Sequence, residues 1–196
     1  EQLELFMGGI RRPWGMVLLT GPTGSGKSTT LHTAIKVIKS PRKNIITVED
    51  PVEYRQPGIQ QVQVKAEIGF DFARSLRSIL RQDPDIIMVG EIRDQETAQI
   101  AVRAALTGHL VLSTLHTNDA VSTVTRLINI GVEPFLVATA VNVAAAQRLV
   151  RKICTSCKEA YRPNAEEAAL FAPDPAPEML YPGRGCKACR NIGYTG

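Results

Sequence analysis

The sequence is poor in aromatic residues, which make up 5% of it with a single Trp, and it holds only four cysteines. Tyr161, Tyr181 and Tyr194 are dispersed through the C-terminal stretch, without the clustered aromatic and basic side chains that a base-stacking groove needs. No apolar run reaches the length of a membrane span, and no signal-peptide pattern opens the chain. Internal repeats are absent. Charge of one sign is in small excess, with 23 Lys and Arg against 19 Asp and Glu for a net +4. Phosphate-handling sites account for a surplus of that size without a nucleic-acid or acidic membrane partner. An initiating Met is also missing, and Glu1 falls in what reads as the middle of an amphipathic helix. The sequence is therefore expected to be a piece of a longer chain.

What is present is ordinary for a soluble protein: 44% hydrophobic and 21% charged residues. A length of 196 residues fits one globular domain with a small appendage. Apolar strand-like runs alternate with helical patterns, which predicts an α/β fold with a mostly parallel sheet. Gly15 to Thr20, Asn44 to Val48, Ile86 to Val89 and His109 to Thr114 read as strands, and Gln60 to Val64 as an edge strand. Helices are expected over Lys27 to Lys39, Phe72 to about Arg81, and from Asp94 to Leu106. A further helix begins after Asp119 and ends before Gly131, and a last one runs from Pro134 to about Lys152. Asp71, Asp94 and Asp119 are placed to cap three of these. Composition changes near Ile153, so a core over 1–153 and a cysteine-bearing subdomain over 154–196 are expected.

The strongest chemical signal is Gly21-Pro22-Thr23-Gly24-Ser25-Gly26-Lys27-Ser28-Thr29, which directly follows a strand and opens a helix. In such a loop the glycines let successive N–H groups turn into one cavity, and the helix adds its positive end. Lys27 is then placed to neutralise β- and γ-phosphates and the Ser28 hydroxyl to bind Mg²⁺. No Asn-Lys-x-Asp segment for reading guanine occurs. Hydrolysis also requires a group that orients or deprotonates water. Glu91, at the end of the strand Ile86 to Val89, is the candidate general base. Glu49, Asp50 and Glu53 follow another strand toward the same edge, and Glu49 and Glu53 read as groups organising the metal shell or water. His109 and His116 are candidate γ-phosphate sensors, with His32 a weaker one. Arg74, Arg77 and Arg81 share one helix face, either solvated or facing a neighbouring subunit.

Taken together, the segments GPTGSGKST (21–29), ITVEDPVEY (46–54), LRQDPDIIMVGEIRD (80–94), TGHLVLSTLHTNDA (107–120) and AQRLVRKIC (146–154) resemble one superfamily. It is that of the type II secretion and type IV pilus assembly ATPases (GspE/PilB type), and the likeness extends over nearly the whole chain. The resemblance implies a RecA-like fold and names these segments in order, AQRLVRKIC aside: the Walker A motif, Asp box, Walker B motif and His box. It assigns Gly21 to Thr29, His109 and His116 to the nucleotide, Glu91 to the catalytic Walker B position, and Glu49 and Glu53 to the Asp box. It further implies ATP and Mg²⁺ as ligands, a homohexamer, and work with inner-membrane platform and cytoplasmic-adaptor proteins, without nucleic acid. The location it implies is cytoplasmic and peripheral to the inner membrane. Members of the superfamily carry an N-terminal domain before this core, whereas here only Glu1 to Trp14 precede the first strand; the isolated region is expected to be a weak ATPase. A nucleic-acid translocating motor and a non-hydrolysing nucleotide switch are the rival readings.

Cys154-x-x-Cys157 and Cys186-x-x-Cys189 account for all four cysteines. Two such pairs converge on tetrahedral Zn²⁺ or form two disulfides, and disulfides fit a cytosolic ATPase poorly. The resemblance supports Zn²⁺, because assembly and secretion ATPases typically carry a tetracysteine element that the retraction branch typically lacks.

Overall fold

The computed structural model describes residues 1–195; Gly196, the last residue of the expected cysteine subdomain, lies outside the described residues. The chain divides into two compact units, Glu1–Arg148 and Leu149–Gly196. In chain order the first contains α1 (Gln2–Ile10), β1 (Gly15–Thr20), α2 (Lys27–Ile38), β2 (Ile45–Glu49), β3 (Gln60–Gln63) and α3 (Phe72–Ile79). It continues with β4 (Ile86–Val89), α4 (Gln95–Leu106), β5 (Leu110–Leu115), α5 (Ala120–Asn129), α6 (Pro134–Ala140) and β6 (Val141–Ala146).

The strands form one sheet in the order β3-β2-β4-β5-β1-β6, and every pairing is parallel. β1, β2, β4 and β5 are buried along their whole length, as continuous apolar runs in a sheet covered on both faces require. Alternation along each strand then splits the core in two. Met16, Leu18, Ile46, Val48, Ile87 and Val89 point to the face covered by α3, α4 and α6, through Leu76, Ala101 and Val137. Val17, Leu19, Ile86, Met88 and Leu112 point to the other, where Ile10 of α1 and Leu31 and Ile35 of α2 close it. Asp71, Asp94 and Asp119 cap α3, α4 and α5 by accepting from the N–H groups of Arg74, Thr97 and Ser122 at 2.8, 2.8 and 2.7 Å.

One expected element is wrong. The helix predicted from Pro134 to about Lys152 ends at Ala140, and Val141–Ala146 runs as the edge strand β6 beside β1. An alanine-rich run has high helix propensity, but β1 carries a row of backbone groups on that side that must be paired once buried. The two registers slip between Met16 and Val17, leaving Asn142 unpaired in the ladder. Its side chain instead donates to the Trp14 carbonyl at 2.8 Å and accepts from Arg12 at 2.9 Å.

The second unit opens with β7 (Lys152–Ile153), contains α7 (Ala165–Ala169), and closes with β8 (Tyr194–Thr195), antiparallel to β7. That pairing draws Lys152 and Ile153 into the second unit, so the structural division falls after Arg148, a few residues before the expected boundary near Ile153.

Candidate nucleotide site and cysteine cluster

Because all six strands run the same way, their C-terminal ends form one edge, the edge at which open α/β sheets bind ligands. Gly21, Asp50, Gly90 and His116 each follow directly from a strand on this edge. At Gly21 the backbone has φ 140°, and a Cβ there would run into the Gln147 carbonyl and the Ser25 hydroxyl. The helix α2 starts from Gly26, at φ 82°, with no side-chain cap and no acid in its first turn. Its first N–H groups and its positive end are therefore offered outward to an anion. Ser25 is buried, and its hydroxyl has no hydrogen-bond partner. Pro22, Thr23 and Gly24 form the exposed outer lip of the loop, and Ser28 and Thr29 are exposed beyond it. Uncapped N–H groups, an orphaned buried hydroxyl and a basic side chain are the donor set that a polyphosphate fits.

Lys27 is 8% exposed and donates to the carbonyls of Gly21 at 2.8 Å and Pro22 at 3.0 Å. Burial lowers its ammonium from the usual lysine value, and the negative charge of Glu91 works in the opposite direction.

The turn that carries Glu91 is fastened by β2 and β5. Gly90 N–H donates to Val48 O at 2.8 Å, Thr114 Oγ1 to Gly90 O at 2.7 Å, Ser113 Oγ to Val89 O at 2.7 Å, and Ile92 N–H to Thr114 O at 3.1 Å. The Glu91 side chain is 12% exposed; one oxygen lies 2.6 Å from Arg93 and the other 3.2 Å from His116 Nε2. The same hydrogen bond and ion pair raise the Arg93 guanidinium above its ordinary value. Thr20 Oγ1 accepts from Thr117 N–H at 2.7 Å, which ties the segment bearing His116 to the end of β1.

The other expected site residues divide. Glu49 is buried, and its oxygens are taken up by His32 Nε2 at 3.0 Å, Thr47 Oγ1 at 2.5 Å and Gln61 Nε2 at 3.0 Å. Burial pushes its carboxyl up, but the hydrogen bonds from His32, Thr47 and Gln61 outweigh it, and the group sits below the usual carboxylate value. Both oxygens face protein, so Glu49 organises the fold around α2 instead of presenting a free ligand. Glu53 is exposed and makes no hydrogen bond or ion pair among the described residues. Asp50, in contrast, contributes to the raised Arg93.

His109 is not at this edge. Its carbonyl accepts from Gly15 N–H at 3.1 Å, level with the start of β1, and its Nδ1 lies 2.9 Å from Ala104 O. The whole of β5 separates it from His116, roughly 20 Å at about 3.3 Å per residue. His32 proves more engaged than its sequence position indicated: Nε2 meets Glu49, Nδ1 lies 2.9 Å from Gln56 Nε2, and Tyr54 packs edge-on at 5.9 Å between ring centroids. Along the arginine stripe, Arg77 pairs with Glu96 of α4 and Arg74 reaches Gly69 O at 3.3 Å.

In the second unit the four cysteines are free thiols whose sulfurs all lie within 4.8 Å of one another. Cys154–Cys186, Cys157–Cys189 and Cys186–Cys189 are 3.9, 3.8 and 3.8 Å apart. A tetrahedral Zn²⁺ with Zn–S bonds of about 2.3 Å sets its sulfurs about 3.8 Å apart, so this cluster has the spacing for it. Backbone N–H groups of Cys186 and Gly193 point at Cys189 Sγ at 3.1 and 3.3 Å, and that of Gly185 at Cys157 Sγ at 3.3 Å. Burial pushes the Cys189 thiol up, but the N–H groups of Cys186 and Gly193 and the neighbouring Cys186 and Cys157 thiols bring it down to about 6, while burial and the surrounding thiols push Cys157 up to about 12 against the Gly185 N–H.

Residues 1–196 match the family described as Type II/IV secretion system protein. The chain belongs to this family. It is 56% identical over 188 residues to type II secretion system protein E of Pseudomonas aeruginosa, covering 95% of this chain and 38% of that protein. It is 54% identical over 201 residues to the type IV pilus assembly ATPase PilB of Myxococcus xanthus, covering all of this chain and 35% of that one. The chain thus spans well under half the length of these relatives. Among solved structures, the pilus retraction motor PilT with bound ADP superposes with a TM-score of 0.70 at 42% identity, over 76% of this chain and 46% of that one. The secretion ATPase fold expected from the sequence is therefore the fold found.

Proposed function

We propose that this chain is the ATP-hydrolysing part of a motor that drives assembly of a type II secretion pseudopilus or a type IV pilus. The observation that carries the reading is the convergence of Lys27 and Glu91, from the ends of β1 and β4, on one sheet edge. There Glu91 is oriented by Arg93 and His116. Names of relatives that include type II secretion and pilus assembly ATPases support the class of work.

In this reading the N–H groups of Gly21 to Thr29 and the Lys27 ammonium hold the phosphates, and the Ser28 hydroxyl holds Mg²⁺. A metal held there would supply charge neutralisation to the phosphates. Glu91 orients and deprotonates the attacking water, with Arg93 and His116 fixing the direction of its two oxygens. Glu49 holds His32 and Gln61 in place, exposed Glu53 beyond β2 organises the metal shell or water, and His109, at the opposite sheet edge, takes no part within its own chain. Cys154, Cys157, Cys186 and Cys189 hold a structural Zn²⁺. The working form is a homohexamer, peripheral to the inner membrane through platform and adaptor proteins; no helix among the described residues is long and apolar enough to cross a membrane.

Binding of a fluorescent ATP analogue and release of phosphate test this directly. Lys27→Ala should abolish binding, while Glu91→Gln should keep affinity and lower kcat by about a hundredfold or more. A wild-type chain that fails to bind ATP, or a Glu91→Gln variant with normal turnover, overturns the reading.

A further inference from the structure

We propose that Gln147 is a positioning residue for the phosphate loop, a role that deepens the ATP reading above and rests on it. Gln147 lies one residue beyond β6 and outside every nucleotide motif. Its N–H donates to Thr20 O at 2.8 Å, carrying the β1–β6 pairing to the last residue of β1. Its side-chain Nε2 donates to Ser25 O at 2.8 Å, and its Oε1 accepts from Thr30 Oγ1 at 2.9 Å. Its own carbonyl fills the space that a Cβ on Gly21 would occupy. One residue therefore touches the start of the loop, its far end, and the first turn of α2.

The loop has few internal restraints: Ser25 N–H donates to Pro22 O at 3.2 Å, and Lys27 reaches two carbonyls. Binding phosphate demands that its N–H groups be held in direction before the anion arrives. The Ser25–Gly26 peptide shows how Gln147 does this. With the Ser25 carbonyl tied to Gln147, a planar trans peptide forces the Gly26 N–H to point the opposite way, away from Gln147. The Thr30 hydroxyl fastens the same amide to α2, so loop and helix share one anchor. A side-chain amide donates to a carbonyl through its nitrogen and accepts from a hydroxyl through its oxygen at once. Glutamate at this position keeps the acceptor for Thr30, loses the donor to Ser25, and places a negative charge beside the loop. Methionine keeps the length and loses both bonds.

The test compares wild type, Gln147→Met, Gln147→Glu, Thr30→Val and the Gln147→Met/Thr30→Val pair. Three measurements are made: affinity for a fluorescent ATP analogue with Mg²⁺, thermal unfolding, and amide hydrogen exchange of peptides from residues 21–30 without nucleotide. Gln147→Met should weaken ATP binding roughly tenfold, and Gln147→Glu more strongly. Thr30→Val should cost less alone and nothing further once residue 147 is methionine. Exchange over 21–30 should rise several-fold in Gln147→Met, while residues 110–115 stay protected and the unfolding midpoint moves by only a few degrees. Affinity within twofold of wild type with unchanged exchange overturns the proposal, as does a uniform loss of protection across the sheet. If the wild-type chain itself binds no ATP, the functional reading fails, and the exchange comparison alone decides the role of Gln147.

Discussion

Glu49 and Glu91 are both acids at strand ends, yet their surroundings give them different work. Glu91 meets groups that are themselves half or more exposed, so an arriving ligand can exchange with them. Glu49 meets buried ones: His32 and Glu49 side chains are 6% and 5% exposed. Replacing His32 by Phe removes the donor to a buried carboxylate oxygen and should cost about 1–3 kcal/mol, read as a lower urea midpoint at unchanged m-value. The lowered Glu49 carboxyl also fixes a direction with pH. Its contribution is fully present above the ordinary carboxylate pKa and is lost as pH falls through the lower folded value. The stability gap between wild type and Glu49→Gln should accordingly hold from about pH 7 to 5 and close below it; a gap that widens in acid contradicts the assignment. Sequence spacing located Glu91, Lys27 and His116 because each follows a strand or loop of recognisable pattern. It misplaced His109, since a motif treats residues 109 and 116 as neighbours while an extended strand carries them to opposite edges. It undervalued His32, whose partners Glu49 and Gln56 come from another strand and loop.

The same contrast holds for whole elements. Strands β1, β4 and β5 were legible because uninterrupted apolar runs this short have few other uses than a strand buried on both faces. Helices α3, α4 and α5 were legible at their starts because an aspartate precedes each. Asp94 accepts from both the N–H and the hydroxyl of Thr97, each at 2.8 Å, and Asp94→Ala should destabilise the first unit by about 1 kcal/mol. Denaturant unfolding checks this, and Asp94→Asn, which still caps, should recover most of the loss. The strand β6 was not legible. Helix propensity is a local property of Val141–Ala146, whereas the need it answers belongs to β1, more than a hundred residues earlier. What turns the segment into a strand is the open side of a sheet that the segment itself does not encode.

At the scale of the molecule, two units of different construction share the chain. The first rests on a two-sided apolar core, while the second has among its described residues two buried hydrophobic side chains, and both are cysteines, Cys154 and Cys189. A unit so poor in core is expected to depend on a metal held by its four thiols. Metal analysis of the purified protein should find about one equivalent of Zn²⁺, and Cys186→Ser/Cys189→Ser should lose it. Chelation should expose 149–196 to protease and leave 1–148 resistant; equal digestion of both units would contradict the assignment. The pairing of β7 with β8 has a further consequence. It pins the second unit at its base, where all four thiols also gather, and the bridges Lys158–Gly183 and Tyr161–Leu180 brace the span between Cys157 and Cys186 as an arm that carries α7. The tip of that arm, Phe171 to Glu178, is then nearly free to drift in length over generations or at the bench, and it is where an inserted tag or reporter would sit without disturbing the thiol cluster.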